Sequence, residues 1–79
     1  MYIVYVLKSE SANKGYVGFT DNIIRRLAEH NSGKNTYTKR HVPWQIIYHE
    51  EYKTKEEARK REVYLKTASG RRFLKKLFI

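Results

Sequence analysis

The chain has no cysteine. A disulfide framework and a thiolate zinc site are therefore excluded, and so is any Cys–His nucleophile. Long apolar runs are missing too: the longest is a handful of residues at the start of the chain, far below the roughly 18 that a membrane-spanning helix needs. No charged segment followed by a cleavable apolar stretch opens the sequence, so no secretory signal is expected. Acidic residues are scarce, 8 against 17 Lys+Arg, leaving a net charge of +9 on 79 residues. Several enzyme motifs are absent as well. There is no G-x-S-x-G, the histidines at 30, 41 and 49 have no metal-ligand spacing, and no Lys-Ser/Thr follows Gly15 and Gly18 to make a phosphate loop.

What is present is a chain with 41% hydrophobic residues, too apolar for a disordered basic tail. Its length sets one domain over residues 1–79 with a thin core, because so short a chain buries only about 60% of its unfolded surface. The expectation is a small soluble, cytoplasmic domain that meets nucleic acid, with an anionic membrane surface a distant second. The charge is uneven. Residues 1–52 hold seven basic and five acidic side chains, whereas residues 53–79 hold ten and three, so +7 of the charge lies in the last third. No linker, repeat or low-complexity tract divides the two parts.

Residues 1–7 are β-branched and aromatic without a polar break, which suits a strand covered on both faces. A short polar loop leads to a second strand at 15–19, whose glycines at 15 and 18 mark a close approach by something else. Thr20 and Asp21 cap a helix over about 22–31 that ends at Gly33, with Ile23, Ile24, Leu27 and Ala28 as its apolar stripe. Arg25 and Glu29 form a solvated pair opposite, and Arg26 and His30 lie at the stripe's edge. After a polar loop comes a third strand, Trp44–Tyr52. Thr54 and Glu57 make a capping box for a helix whose inner set is Ala58, Arg61, Glu62 and Leu65, with Glu56/Lys60 and Glu57/Arg61 as surface pairs. Ser69 caps a last helix with Phe73, Leu74, Leu77 and Phe78 inward and Arg71, Arg72, Lys75 and Lys76 outward. The order β-β-α-β-α-α predicts an α+β fold: a small three-stranded antiparallel sheet flanked by helices.

Seven tyrosines, a basic surround and one misplaced carboxylate are the unusual supply. Tyr5, Tyr16, Arg26, His30 and Glu62 sit on elements that can converge on one patch. Such parts suit phosphodiester cleavage. A carboxylate holds a divalent metal, an arginine opposes charge on the phosphoryl oxygens, and a tyrosine serves as base if cationic neighbours and the metal lower its pKa. One carboxylate suggests one ion.

In this pattern the chain resembles the GIY-YIG nuclease superfamily. Ile3-Val4-Tyr5 corresponds to the first motif, with Ile in place of the leading Gly, and Tyr16-Val17-Gly18 to the second. Arg26 and His30 fall at the family's Arg and His/Tyr positions, and Glu62 in Arg61-Glu62-Val63-Tyr64-Leu65-Lys66 looks like its metal-binding Glu. The resemblance spans nearly the whole chain. Where many members carry an Asn after the Glu helix, this chain reads Thr67-Ala68-Ser69-Gly70. The likeness implies that Glu62 binds a single Mg²⁺ or Mn²⁺, that Arg26 engages the scissile phosphate, and that Tyr16, Tyr5 or His30 positions or deprotonates the attacking water. It implies a DNA substrate, branched or single-stranded forms included. A targeting domain like that of larger members is not expected here, so a separate targeting partner or a homodimer enters the reading. Lys39, Arg40, Lys66, Arg71, Arg72, Lys75 and Lys76 are the candidate phosphate contacts.

Each residue also has a plainer reading. Tyr5 alone is a packed core tyrosine, Arg26 a snorkelling side chain, His30 a helix-end histidine favoured by the dipole, and Glu62 one half of an ion pair with Arg61 or Lys66. The run 71–76 reads equally as a solvated helix face. The rival functions are a nucleic-acid-binding module of the same fold that cuts poorly or not at all, and a basic patch that docks on an acidic protein or anionic lipid.

Overall fold

The computed structural model describes residues 1–77. Three antiparallel strands, β1 (Tyr2–Ser9), β2 (Gly15–Thr20) and β3 (Trp44–Tyr52), form one sheet in the order β2-β1-β3. The chain also forms helices α1 (Ile23–Asn31), α2 (Lys55–Leu65) and α3 (Ala68–Leu77), with a short 3₁₀ turn at Thr38–His41. The expected α+β order is therefore present, with helices on both faces of the sheet.

Central β1 explains why its sequence has no polar break. Val4, Tyr5, Val6 and Leu7 are all buried, and alternation sends Val4 and Val6 to one face and Tyr5 and Leu7 to the other. The first pair joins Val17 with Ala58 and Leu65 of α2, and with Phe73 and Leu74 of α3. Tyr5 and Leu7 instead join Trp44, with Ile23 and Leu27 of α1. The two helical layers are thus fed by alternate residues of one strand.

Helix α1 starts one residue later than Thr20 and Asp21 would place it. Asn22 is the N-cap, its Oδ1 accepting from Arg25 N at 3.0 Å, while Thr20 fixes the preceding turn by accepting from Asn22 N at 3.1 Å. Asp21 instead pairs with Arg25. The helix ends as expected at Gly33, whose φ of +87° is the left-handed conformation glycine favours. The inward stripe differs from expectation. Ile24 is 82% exposed and Ala28 is exposed, while the sheet-facing line is Ile23, Arg26, Leu27 and a wholly buried His30. An imidazole takes the interior place because both ring nitrogens find hydroxyl partners there, so burying it leaves no polar atom unpaired.

In α2 the expected inner set holds: Ala58 and Leu65 are buried, Arg61 and Glu62 partly so. Thr54 caps it, accepting from Glu57 N at 3.2 Å. The expected Glu57/Arg61 pair is replaced, because Glu57 is engaged at the cap and β3 offers a better-fixed carboxylate. Arg61 grips Glu50 with two bonds, Nε at 2.9 Å and Nη2 at 3.0 Å, and the hydroxyls of Tyr48 and Tyr52 donate to the same carboxylate. The ion pairs among the described residues also omit Glu56/Lys60. Helix α3 is capped by Thr67, not Ser69: Thr67 Oγ1 accepts from Gly70 N at 3.2 Å. Phe73, Leu74 and Leu77 turn inward and the four basic residues outward, as their spacing implies; Phe78 lies outside the described residues.

Candidate active site

Tyr5 faces Gly18 across the β1–β2 ladder. A Cβ at position 18 would stand 2.5 Å from the Tyr5 hydroxyl and 2.8 Å from its Cζ, so the glycine is the space through which the phenol passes. This is the close approach that the light second strand signalled. Beyond Gly18 the Tyr5 hydroxyl shares a hydrogen bond of 3.0 Å with His30 Nε2, and His30 Nδ1 shares one of 2.9 Å with Thr38 Oγ1. Tyr5, His30 and Thr38 form a buried line from β1 through α1 to the 3₁₀ turn.

Tyr16 lies beside this line. Its ring stacks on Tyr5 at 6.4 Å between centroids and sits 4.8 Å from the His30 ring. Unlike its two neighbours it is only partly buried. Arg26, half-buried on α1, pairs with Glu29 at 3.0 Å.

Burial raises the Tyr5 pKa to about 12, with the charge of Arg26 acting in the opposite sense. Burial, then the positive charge of Arg26, lowers His30 to about 4, so the imidazole is neutral near neutral pH. For Arg26 burial works against the charge, but its bond to Glu29 and the influence of both phenols outweigh this and raise its pKa. The carboxylate of Glu62, on α2, adds a minor upward influence on the Tyr5 pKa. Tyr5, Tyr16 and His30 draw together, with Arg26 one turn before His30 on α1, while Glu62 comes from α2, where it pairs with Lys66.

Strand β2 lies at the edge of the sheet. Along that strand runs a groove bounded by Tyr16 and Tyr37 on one side and by Lys66 and Arg71 on the other, so it takes side chains from both layers. Glu62 forms an ion pair with Lys66 at 3.3 Å, with its own side chain 18% exposed. Among the described residues no three His, Cys, Asp or Glu side chains cluster as a ready metal cage. A lone, solvent-reached carboxylate does fit Mg²⁺, which is commonly held by one or two carboxylates and completes its shell with water and substrate phosphate.

The basic candidates divide by place. Lys66 and Arg71 line this groove, and Lys75 lines its continuation beside Lys14. Lys39 and Arg40 project from the 3₁₀ turn, while Arg72 and Lys76 are exposed on α3. Sequence reasoning missed Thr38 and Tyr37. Asn35 was the available signal: its Oδ1 accepts from the backbone N–H groups of Tyr37 at 2.9 Å and Thr38 at 3.1 Å, the local turn that Asn favours.

The three-stranded sheet with helices on both faces is that of a nuclease-family domain. The family model of the GIY-YIG catalytic domain matches residues 1–76, and the chain belongs to the GIY-YIG family. It is 40% identical over 75 residues to a UPF0213 protein of Staphylococcus haemolyticus, covering 94% of this chain and 90% of that one. A UPF0213 protein of Listeria monocytogenes is 44% identical over 69 residues, 86% of this chain and 76% of its own. Among solved structures, the solution NMR structure of a UPF0213 protein from Bacillus halodurans matches with a TM-score of 0.56 at 29% identity, over 96% of this chain and 83% of the other. No helix among the described residues is long and apolar enough to cross a membrane.

Proposed function

We propose that the protein is a divalent-metal-dependent endonuclease that hydrolyses DNA phosphodiester bonds, acting as one domain over residues 1–79. The observation that carries this reading is the difference in access among three otherwise similar groups. Tyr5 is buried and held protonated, and His30 is buried and neutral with both nitrogens occupied. Tyr16 alone of the three opens onto the groove.

Tyr16 is accordingly the group that orients the attacking water in the groove. Tyr5 and His30 act behind it: His30 fixes the Tyr5 hydroxyl, and Tyr5 supports the ring of Tyr16. Arg26 opposes the charge that builds on the phosphoryl oxygens as water adds. Glu62 would hold one Mg²⁺ or Mn²⁺, which when bound polarises the phosphate and stabilises the leaving oxygen. Lys39, Arg40, Lys66, Arg71, Arg72, Lys75 and Lys76 grip the flanking backbone without reading sequence. The reading includes a cytoplasmic location and, because none of these contacts reads bases, a second copy or a targeting partner that supplies site choice.

The test is cleavage of plasmid, branched and single-stranded DNA with Mg²⁺ or Mn²⁺, comparing wild type with Glu62→Ala and Arg26→Ala. Wild type should cut and both variants should lose at least about a hundredfold in rate, the scale of a lost charge-stabilising group. Equal inertness of all three on every substrate would sink the proposal. DNA affinity that ignores Mg²⁺ and survives Glu62→Ala would mark a binding module instead.

A further inference from the structure

We propose that Tyr37 is a base-stacking residue, holding the nucleobase of an unpaired nucleotide beside the phosphate engaged at Tyr16 and Arg26. The inference deepens the nuclease reading and rests on it.

Tyr37 is 46% exposed, yet it is not a loose loop side chain. Its backbone N–H donates to Asn35 Oδ1, and the 3₁₀ turn begins at the next residue. Its ring is braced by His41, at 5.6 Å and 63° between ring planes, and by Trp44, at 6.4 Å and 36°. It also continues the catalytic stack: Tyr5 to Tyr16 is 6.4 Å at 30°, and Tyr16 to Tyr37 is 6.1 Å at 29°. Three aromatic rings therefore step outward from the buried core to solvent, and the last is held in place with nearly half of its surface open. A fixed, half-open aromatic ring binds a flat apolar partner at little cost in ordering.

The groove at its side indicates which partner. It offers about 390 Å³, a volume in the range of small-ligand sites. Tyr16 and Tyr37 form an aromatic wall, and Lys66 and Arg71 a cationic one. No acidic residue lines it; Lys66 shares its charge with Glu62 just outside. A flat ring joined to an anion is the complement, and a nucleotide has that form. Bases inside a duplex are stacked on each other, so only an unpaired base presents its face to Tyr37. Stacking suits any base, since every base has a π-face. The device would therefore select strand state and not sequence, favouring a single-stranded stretch, a flap or a junction.

The experiment measures binding of the full chain in EDTA, so that cleavage plays no part. Fluorescence anisotropy is recorded for a labelled single-stranded DNA, the same oligonucleotide with abasic residues throughout, and a duplex. Tyr37→Leu should weaken binding of the single strand about tenfold, and Tyr37→Phe should keep it. Both variants should match wild type on the abasic strand and the duplex, a pattern that misfolding would not produce. Equal binding of Tyr37→Leu and wild type to the ordinary strand overturns the proposal, as does equal wild-type affinity for ordinary and abasic strands. Either result leaves metal-dependent cleavage standing. If wild type binds none of the three and cuts nothing with Mg²⁺, the nuclease reading itself falls. RNA of the same sequence distinguishes the two sources of such a base, and a Tyr37 effect on neither RNA nor DNA again overturns the proposal.

Discussion

Lowering the pH from about 7.5 to about 5 should cost the protein about 2 kcal/mol of stability through His30 alone. The imidazole is buried against two hydroxyls, and burial with the nearby Arg26 charge lowers its pKa from 6.5 to about 4. The unfolded chain thus takes up a proton on this side chain at a pH where the folded chain does not, so stability rises with pH across the interval. It is complete above about pH 6.5 and fades as the pH falls toward about 4. At about pH 5 protonation favours the unfolded form some thirtyfold, which is the 2 kcal/mol stated. Urea unfolding followed by the fluorescence of buried Trp44 would measure it. The midpoint should be used and not the amplitude, because the His41 ring lies 6.3 Å from Trp44 and can alter its emission. With a slope of about 1 kcal/mol per molar urea for so small a chain, the midpoint should fall by about 2 M. His30→Gln should be less stable at pH 7.5 yet show a much flatter profile down to pH 5. Parallel losses in wild type and variant would refute the assignment to His30.

Two further outcomes follow from close contacts elsewhere. Gly18→Ala should destabilise by about 1–3 kcal/mol, the usual cost of overpacking, because the new methyl group collides with the Tyr5 phenol; thermal unfolding would show it, and cleavage should fall as Tyr5 is displaced. Glu50→Gln should cost about 1–3 kcal/mol in chemical denaturation, since Arg61 loses its charged partner. For Glu50, burial acts to raise the pKa, but the bonds from Arg61, Tyr48 and Tyr52 prevail and lower it. Its stabilising effect is therefore present above the ordinary carboxylate pKa of about 4.5 and lost as pH falls through the lower folded value, from the acid end of the His30 window downward.

The elements legible in the sequence were those with a strong local pattern. The unbroken run of β1, the composition of β3 and the inner set Ala58, Arg61, Glu62 and Leu65 all lie where periodicity puts them. Failures came where a distant partner decides. Nothing near His30 announces that hydroxyls 25 and 8 residues away will meet its two nitrogens, so hydrophobicity alone turned α1 toward Ile24. Arg61 was given a neighbour on its own helix, whereas its partner Glu50 comes from β3. Thr67 and Ser69 offer equivalent hydroxyls two residues apart, and α3 begins at Ala68, which leaves Thr67 at the cap and Ser69 inside the helix. The candidate site was legible as a set of residue types in register. How the set is exposed was not, because it depends on Gly18, Thr38 and the edge position of β2.

Asn31 joins the end of α1 to the start of β3. Its Oδ1 accepts from Trp44 N at 2.6 Å, and its Nδ2 donates to Trp44 O at 3.2 Å. One side chain thereby closes both ends of the excursion over residues 32–43, which carries Tyr37, Lys39 and Arg40. The segment behaves as a replaceable fitting. While Asn35, Thr38 and the two ends stay in place, its exposed residues can be exchanged to change what the groove accepts, and the sheet beneath need not register the difference.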